Sequence, residues 1–174
     1  MRSRLTAIQY MGKRKRTLIT APSLFFATTT VRDWRPVFTR ERLDALERQL
    51  FALFPAHADT LMGYVLMPSH VHLLVGCRGG GVQLSKFMGS FKSLTTRQIF
   101  PNAGPTWMHR FDDVVITSEK PLSIKLNYIH ENPVRAGLVQ DVIDWKWSSA
   151  RFWSTDEVHS VLAKDWDWLS SEDA

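Results

Sequence analysis

His70 and His72, one residue apart in Met67-Pro68-Ser69-His70-Val71-His72-Leu73-Leu74-Val75, are the side chains best placed to act as a pair. The flanking residues are those of a strand, where alternate side chains share a face, so the two imidazoles converge. Imidazole is the commonest protein ligand for divalent metals, and a rigid pair is half of a metal site. Packed or solvated histidines account for the same pattern, and nothing within the strand chooses between the two.

The segment Leu126-Asn127-Tyr128-Ile129-His130-Glu131-Asn132-Pro133-Val134-Arg135-Ala136-Gly137-Leu138-Val139 supplies a second set. Tyr128 and Asn132 are four residues apart, so on a helix a phenol and an amide oxygen point to one place. The alternative is a tyrosine anchored at a core edge and an Asn132 that caps a turn starting at Pro133. For Asn132 both readings stay open.

The elements that must position these groups follow from hydrophobic periodicity. Strands are expected at 24–31, 61–67, 70–76 and 111–117, the middle two forming a hairpin that Gly79-Gly80-Gly81 closes. Helices are expected at 40–53, where Leu43, Leu46, Leu50 and Leu53 recur, at 82–99, and at 121–131. The order β-α-β-β-α-β-α matches an α+β, ferredoxin-like antiparallel sheet with an added C-terminal helix.

With 174 residues, 44% of them apolar, the chain is long enough for one core. Cys77 is the single cysteine, so no intrachain disulfide forms, and the expectation is a reducing cytoplasm. No apolar run suggests a membrane segment. Charge is uneven: residues 1–48 carry 11 Lys and Arg against 4 acidic residues, whereas 140–174 carry 3 against 8. The basic end suits a polyanion, since neutralising phosphates releases counterions. It suits a solvated basic terminus equally. Three regions are expected: a flexible basic arm at 1–22, a folded domain at 23–140, and an acidic, Trp-rich tail at 141–174. In that tail Asp165-Trp166-Asp167-Trp168 either mimics stacked nucleotides or packs on the domain.

His70-Val71-His72 in its strand and Tyr128 in Tyr-Ile-His-Glu-Asn-Pro-Val-Arg-Ala-Gly-Leu-Val resemble the HUH single-tyrosine transposases, and within them the REP-associated branch. Trp107, Arg110-Phe111 and Trp147-Ser148-Ser149 add lesser similarities, so the resemblance spans about residues 24–151. Ser69 departs from it, standing where the family often has Asn.

The resemblance implies a Mg²⁺- or Mn²⁺-dependent endonuclease and strand transferase on single-stranded DNA beside a REP-like hairpin. Its site residues are then Tyr128 as nucleophile with His70 and His72 activating the phosphate, the metal held by His70, His72 and Asn132. Oxygen is what a hard, six-coordinate ion takes beside two nitrogens. A phenol with a reference pKa of about 10 needs help to ionise, and Lys125 and Glu131 are the charged neighbours on its face. Candidate DNA contacts are Arg2, Arg4, Lys13, Arg14, Lys15 and Arg16 in the arm, and Arg32, Trp34 and Arg35. Trp34 serves either to stack an unpaired base or to anchor a core edge. Relatives act as dimers or, in the REP-associated branch, as monomers, so a monomer or homodimer is expected.

Two rivals share features with this reading. A histidine-triad hydrolase also uses His-hydrophobe-His, but a third alternating histidine is missing because position 74 is Leu. A non-catalytic nucleic-acid-binding module on a ferredoxin-like sheet also carries basic arms, yet the usual aromatic-rich sheet motifs are not evident.

Overall fold

The computed structural model describes residues 16–102, 106–156 and 158–165. Four strands, β1 (Ser23–Thr30), β2 (Thr60–Leu66), β3 (His70–Cys77) and β4 (Asp112–Ile116), form an antiparallel sheet in the order β2-β3-β1-β4. Helices α1 (Arg40–His57), α2 (Gly80–Ile99) and α3 (Glu119–Arg135) alternate with and follow the strands, and a short α4 (Ala150–Ser154) comes last. This is the expected ferredoxin-like α+β arrangement with an added helix.

The strands read as near-continuous apolar runs because both sheet faces are covered. On one face lie Phe25, Ala27, Val71, Leu73 and Val75, all fully buried. Tyr64, paired with Leu73, hydrogen-bonds Glu47 of α1, which identifies this as the α1 side. There the leucine stripe Leu43, Leu46 and Leu50 meets Leu84, Phe87, Met88 and Phe91 of α2. Each such side chain contributes roughly 1.5–3 kcal/mol on burial.

The opposite face carries Phe26, Thr28 and Thr30 of β1, paired with Leu74, His72 and His70 of β3. Helix α3 lies over it, burying Leu122, Leu126, Ile129 and Pro133. Gly63 of β2 permits this approach: a Cβ there would stand 2.8 Å from Leu126 Cδ2. A glycine inside a strand marks such a close contact.

Helix α3 runs four residues past its expected end near Glu131. Pro133 removes one backbone donor from the last turn but does not end the helix. Closure comes from Gly137 at φ +69°, with Gly137 N–H donating to Val134 O and Leu138 N–H to Pro133 O, the paired bonds of a Schellman motif. Asn132 therefore lies within the helix and is not the cap of a turn.

Both ends of the described part of the chain are tied to the body. Residues 145–149 line the outer edge of β2, where Leu66 N–H donates to Trp147 O and Ser149 N–H to Tyr64 O, and Leu162 bridges to Leu61. An otherwise open sheet edge is thereby covered. The indoles of Trp145, Trp147 and Trp153 donate to Leu66 O, Asp44 Oδ1 and Met62 O, so these tryptophans pack on the domain. Trp166 and Trp168, the basis of the nucleotide-mimic idea, lie outside the described residues. At the other end Gly81 N–H donates to Ile19 O, and a Cβ at Gly81 would fall 2.1 Å from Arg16 O. The glycine run at the start of α2 is thus a seat for residues 16–21. Among the described residues, no helix is long and apolar enough to cross a membrane.

Candidate active site

The two imidazoles sit where the sequence pattern places them, on one face of β3, with ring centroids 4.8 Å apart. Helix α3 brings Tyr128 to them: its ring lies 5.2 Å from that of His72. One turn later, Asn132 Oδ1 stands 3.3 Å from His70 Nε2. Strand β3 and helix α3 therefore assemble His70, His72, Tyr128 and Asn132 in one place. Tyr128 keeps 37% of its surface exposed, so its hydroxyl side is open to a substrate from solvent.

Each histidine is oriented from behind. Thr28, directly across β1 from His72, places Oγ1 2.8 Å from His72 Nδ1. With Nδ1–H donating to Thr28, the lone pair is left on Nε2, a buried atom with no hydrogen-bond partner among the described residues. Ser69 Oγ lies 3.1 Å from His70 Nδ1, a polar partner behind that ring. Such partners fix which ring nitrogen is free to ligate. Phe26 stacks on His72 at 5.3 Å and meets Tyr128 edge-on at 5.9 Å, fixing the planes of both rings.

Burial lowers the pKa of both imidazoles. For His70 this outweighs the opposing effect of the hydrogen bond that its ring donates to Asn132 Oδ1, and for His72 burial, with His70 and Lys125 nearby, takes it down to about 3. Both rings are neutral at pH 7, the form that binds metal.

These residues fit a divalent cation. The unpartnered His72 Nε2 is a buried polar atom that a metal would satisfy. His70 Nε2 and Asn132 Oδ1, 3.3 Å apart, are near enough for one cation to be held by both. Among the described residues no cluster of three or more His, Cys, Asp or Glu exists, and the set that converges here is two imidazoles and an amide oxygen. That leaves positions open for water and substrate oxygens.

Two cations flank Tyr128. Lys125 Nζ lies 4.5 Å from the Phe26 ring centroid and 5.7 Å from that of Tyr128, and the Arg135 guanidinium is 5.9 Å from the Tyr128 ring. Glu131 pairs with Arg135. His130 turns away from the site and bonds Ser149 Oγ at 2.9 Å.

Of the candidate DNA contacts, Arg32, Trp34 and Arg35 are exposed beside the site, with the Trp34 ring 5.4 Å from that of His70. At 59% exposure Trp34 is no core anchor. Arg16 is turned inward: its guanidinium pairs with Asp113, donates to Phe111 O and stacks on the Phe111 ring at 3.7 Å. Arg2, Arg4, Lys13, Arg14 and Lys15 lie outside the described residues. Sequence reasoning passed over Thr28, Phe26 and Arg135. Arg135 was within reach, since 125, 128, 132 and 135 share one helical face.

No family model matches the chain. It is 23% identical over 160 residues, 84% of its length and 89% of the relative's, to a provisionally named REP-associated tyrosine transposase of Haemophilus influenzae. A REP-associated tyrosine transposase of Escherichia coli K12 is likewise 23% identical, over 90% of this chain and 91% of its own. The fold is shared with the solved structure of a REP-associated tyrosine transposase bound to a REP hairpin, with a TM-score of 0.69 and 22% identity, covering 77% of this chain and 80% of the other.

Proposed function

We propose that this chain, homologous over most of its length to REP-associated tyrosine transposases, is a Mg²⁺- or Mn²⁺-dependent single-stranded DNA endonuclease and strand transferase that acts beside a hairpin. The observation that carries the reading is the convergence of Tyr128 on His72 and of Asn132 on His70. Tyr128 and an open set of candidate metal ligands meet on the α3 face of the sheet.

His70, His72 and Asn132 would hold the metal, which when bound supplies Lewis-acid polarisation of a non-bridging phosphate oxygen. The protein's own groups do the rest. Tyr128 Oη attacks phosphorus; the Oη–P bond forms as the P–O3′ bond breaks, the phenolic proton is lost to solvent, and the departing 3′ oxygen takes up a proton. The products are a 5′-phosphotyrosine and a free 3′-hydroxyl. Attack of a 3′-hydroxyl on that link reverses the step and joins strands without ATP. Lys125 and Arg135 are placed to neutralise phosphate oxygens around the tyrosine. Arg32, Trp34 and Arg35, with Arg2, Arg4, Lys13, Arg14 and Lys15 of the arm, contact DNA. The chain acts as a monomer or a homodimer.

The test is incubation with a 3′-labelled hairpin oligonucleotide that carries a single-stranded flank, in Mg²⁺ or Mn²⁺. Label should become covalently attached to protein and should stay free in chelator. Tight hairpin binding with no protein-linked label in either metal would make the chain a non-catalytic binding module.

A further inference from the structure

Beyond Trp34 the surface drops into a groove of about 440 Å³ between the C-terminal half of α2 and residues 106–109. Its wall carries Arg32, Lys92, Arg97 and His109, and among the described residues no acidic side chain lines it. Lys92 is committed to structure, its ammonium donating to Met108 O at 2.6 Å and His109 O at 2.9 Å, so it braces the segment that presents His109. Arg32, Arg97 and His109 are exposed. Met108, 44% exposed, gives the lining an apolar patch.

Arg32 joins this groove to the active site, because it belongs to the same tight turn as Trp34. That turn is held in an uncommon conformation: Asp33 and Trp34, neither a glycine, sit at φ 59° and 55°. Left-handed backbone at two successive such residues costs roughly 1–2 kcal/mol each, so it persists only where surrounding bonds enforce it. Here Val31 N–H donates to Ser69 O, Arg32 N–H to Thr106 O and Phe38 N–H to Pro68 O. The bonds tie the turn to the residues just before His70 on one side and to the groove on the other. Their product is an exposed indole whose ring centre is 5.4 Å from that of His70.

A positive groove that tracks a backbone, with an exposed aromatic at its mouth, is the combination that binds unpaired nucleic acid. We propose that this groove holds the sugar-phosphate backbone of the single-stranded DNA flank, with Trp34 stacking a base at the threshold of the active site. The inference rests on the proposed DNA-cleaving function and adds Arg97 and His109 to it.

The experiment measures Kd for two oligonucleotides, the bare hairpin and the same hairpin with a single-stranded flank, at several salt concentrations. Wild type is compared with Arg97→Glu and with Lys86→Glu, which makes the same charge change at an exposed position of α2 outside the groove. Arg97→Glu should weaken the flanked hairpin about tenfold and lower its salt slope by about 0.7, the value for one phosphate of a single strand. Lys86→Glu should change it less than about twofold, and the bare hairpin should respond little to either. Equal losses for both variants, or equal losses on bare and flanked hairpins, would overturn the groove assignment. Wild type that binds neither oligonucleotide overturns the proposed function itself, whereas wild type that gains affinity from the flank regardless of Arg97 overturns the groove alone.

Discussion

The two faces of the sheet use the same strands for opposite purposes. On the α1–α2 face Phe25, Ala27, Leu73 and Val75 are sealed against leucines and phenylalanines, and the contacts are apolar almost throughout. One residue along, on the α3 face, Thr28, His70 and His72 meet Tyr128 and Asn132, and a buried imidazole nitrogen is left without a partner. The first arrangement stabilises, since burial of apolar area is its main term. The second holds an unmet bonding capacity at some cost to stability, which is what a binding site for a cation and a phosphate requires. The period-2 alternation of a strand keeps the two apart: a slip of one residue would exchange core and site.

This contrast can be broken first at its strongest point. Tyr128→Phe removes one oxygen from an exposed ring, so stability and hairpin affinity should stay within about twofold in Kd. The rate of protein–DNA adduct formation should fall at least about 1000-fold, measured in single turnover. On the opposite face, Phe87→Ala should cost about 3–5 kcal/mol of stability by chemical denaturation. Corrected for the folded fraction, its adduct rate should equal that of wild type. A loss of rate per folded molecule would show that the two faces are coupled.

A smaller change tests the support behind the site. Thr28→Val removes the oxygen that orients His72, so the metal concentration for half-maximal cleavage should rise about 10- to 100-fold. The maximal rate should return at saturating metal, because the imidazole itself remains.

Acid sharpens the comparison at the smallest scale. His72 is held down to about 3 and His130 to about 4, both by burial, against an ordinary value near 6.5. The unfolded chain therefore takes up these protons first. Their contribution to stability is complete above about pH 6.5 and is lost as pH falls toward the folded values, at up to about 1.4 kcal/mol per pH unit for each group. Denaturation at pH 7.5 and 5.0 should show a shallower loss for His130→Gln than for wild type, while Phe87→Ala, lower throughout, should keep the wild-type pH slope.

The strands, helices and their order were legible because both periodicities are strong: the leucines at 43, 46, 50 and 53 admit only a helix, and His70 and His72 in an apolar run admit only a strand face. Tyr128 and Asn132 were legible as a pair by the same rule. Thr28 was not, because its partnership with His72 depends on β1 lying beside β3 in this register, a pairing 44 residues apart in sequence that periodicity does not encode. The groove was illegible for a related reason. Lys92 and Arg97 read singly as a solvated helix face, and only the folded chain brings Arg32 and His109 opposite them. Helix α3 was read too short because Pro133 signals an ending, whereas the Gly137 motif sets the true one.

The central claim is that Tyr128 becomes covalently joined to DNA at the edge of the imidazole pair. The most direct measurement is peptide mass mapping of the full chain after reaction with a flanked hairpin in Mn²⁺ and nuclease trimming of the bound strand. The expected result is one nucleotide-bearing peptide, modified through a 5′-phosphate at Tyr128, present in wild type and absent in His72→Ala and Tyr128→Phe. A nucleotide adduct at any other residue, or one that persists in Tyr128→Phe, would contradict it.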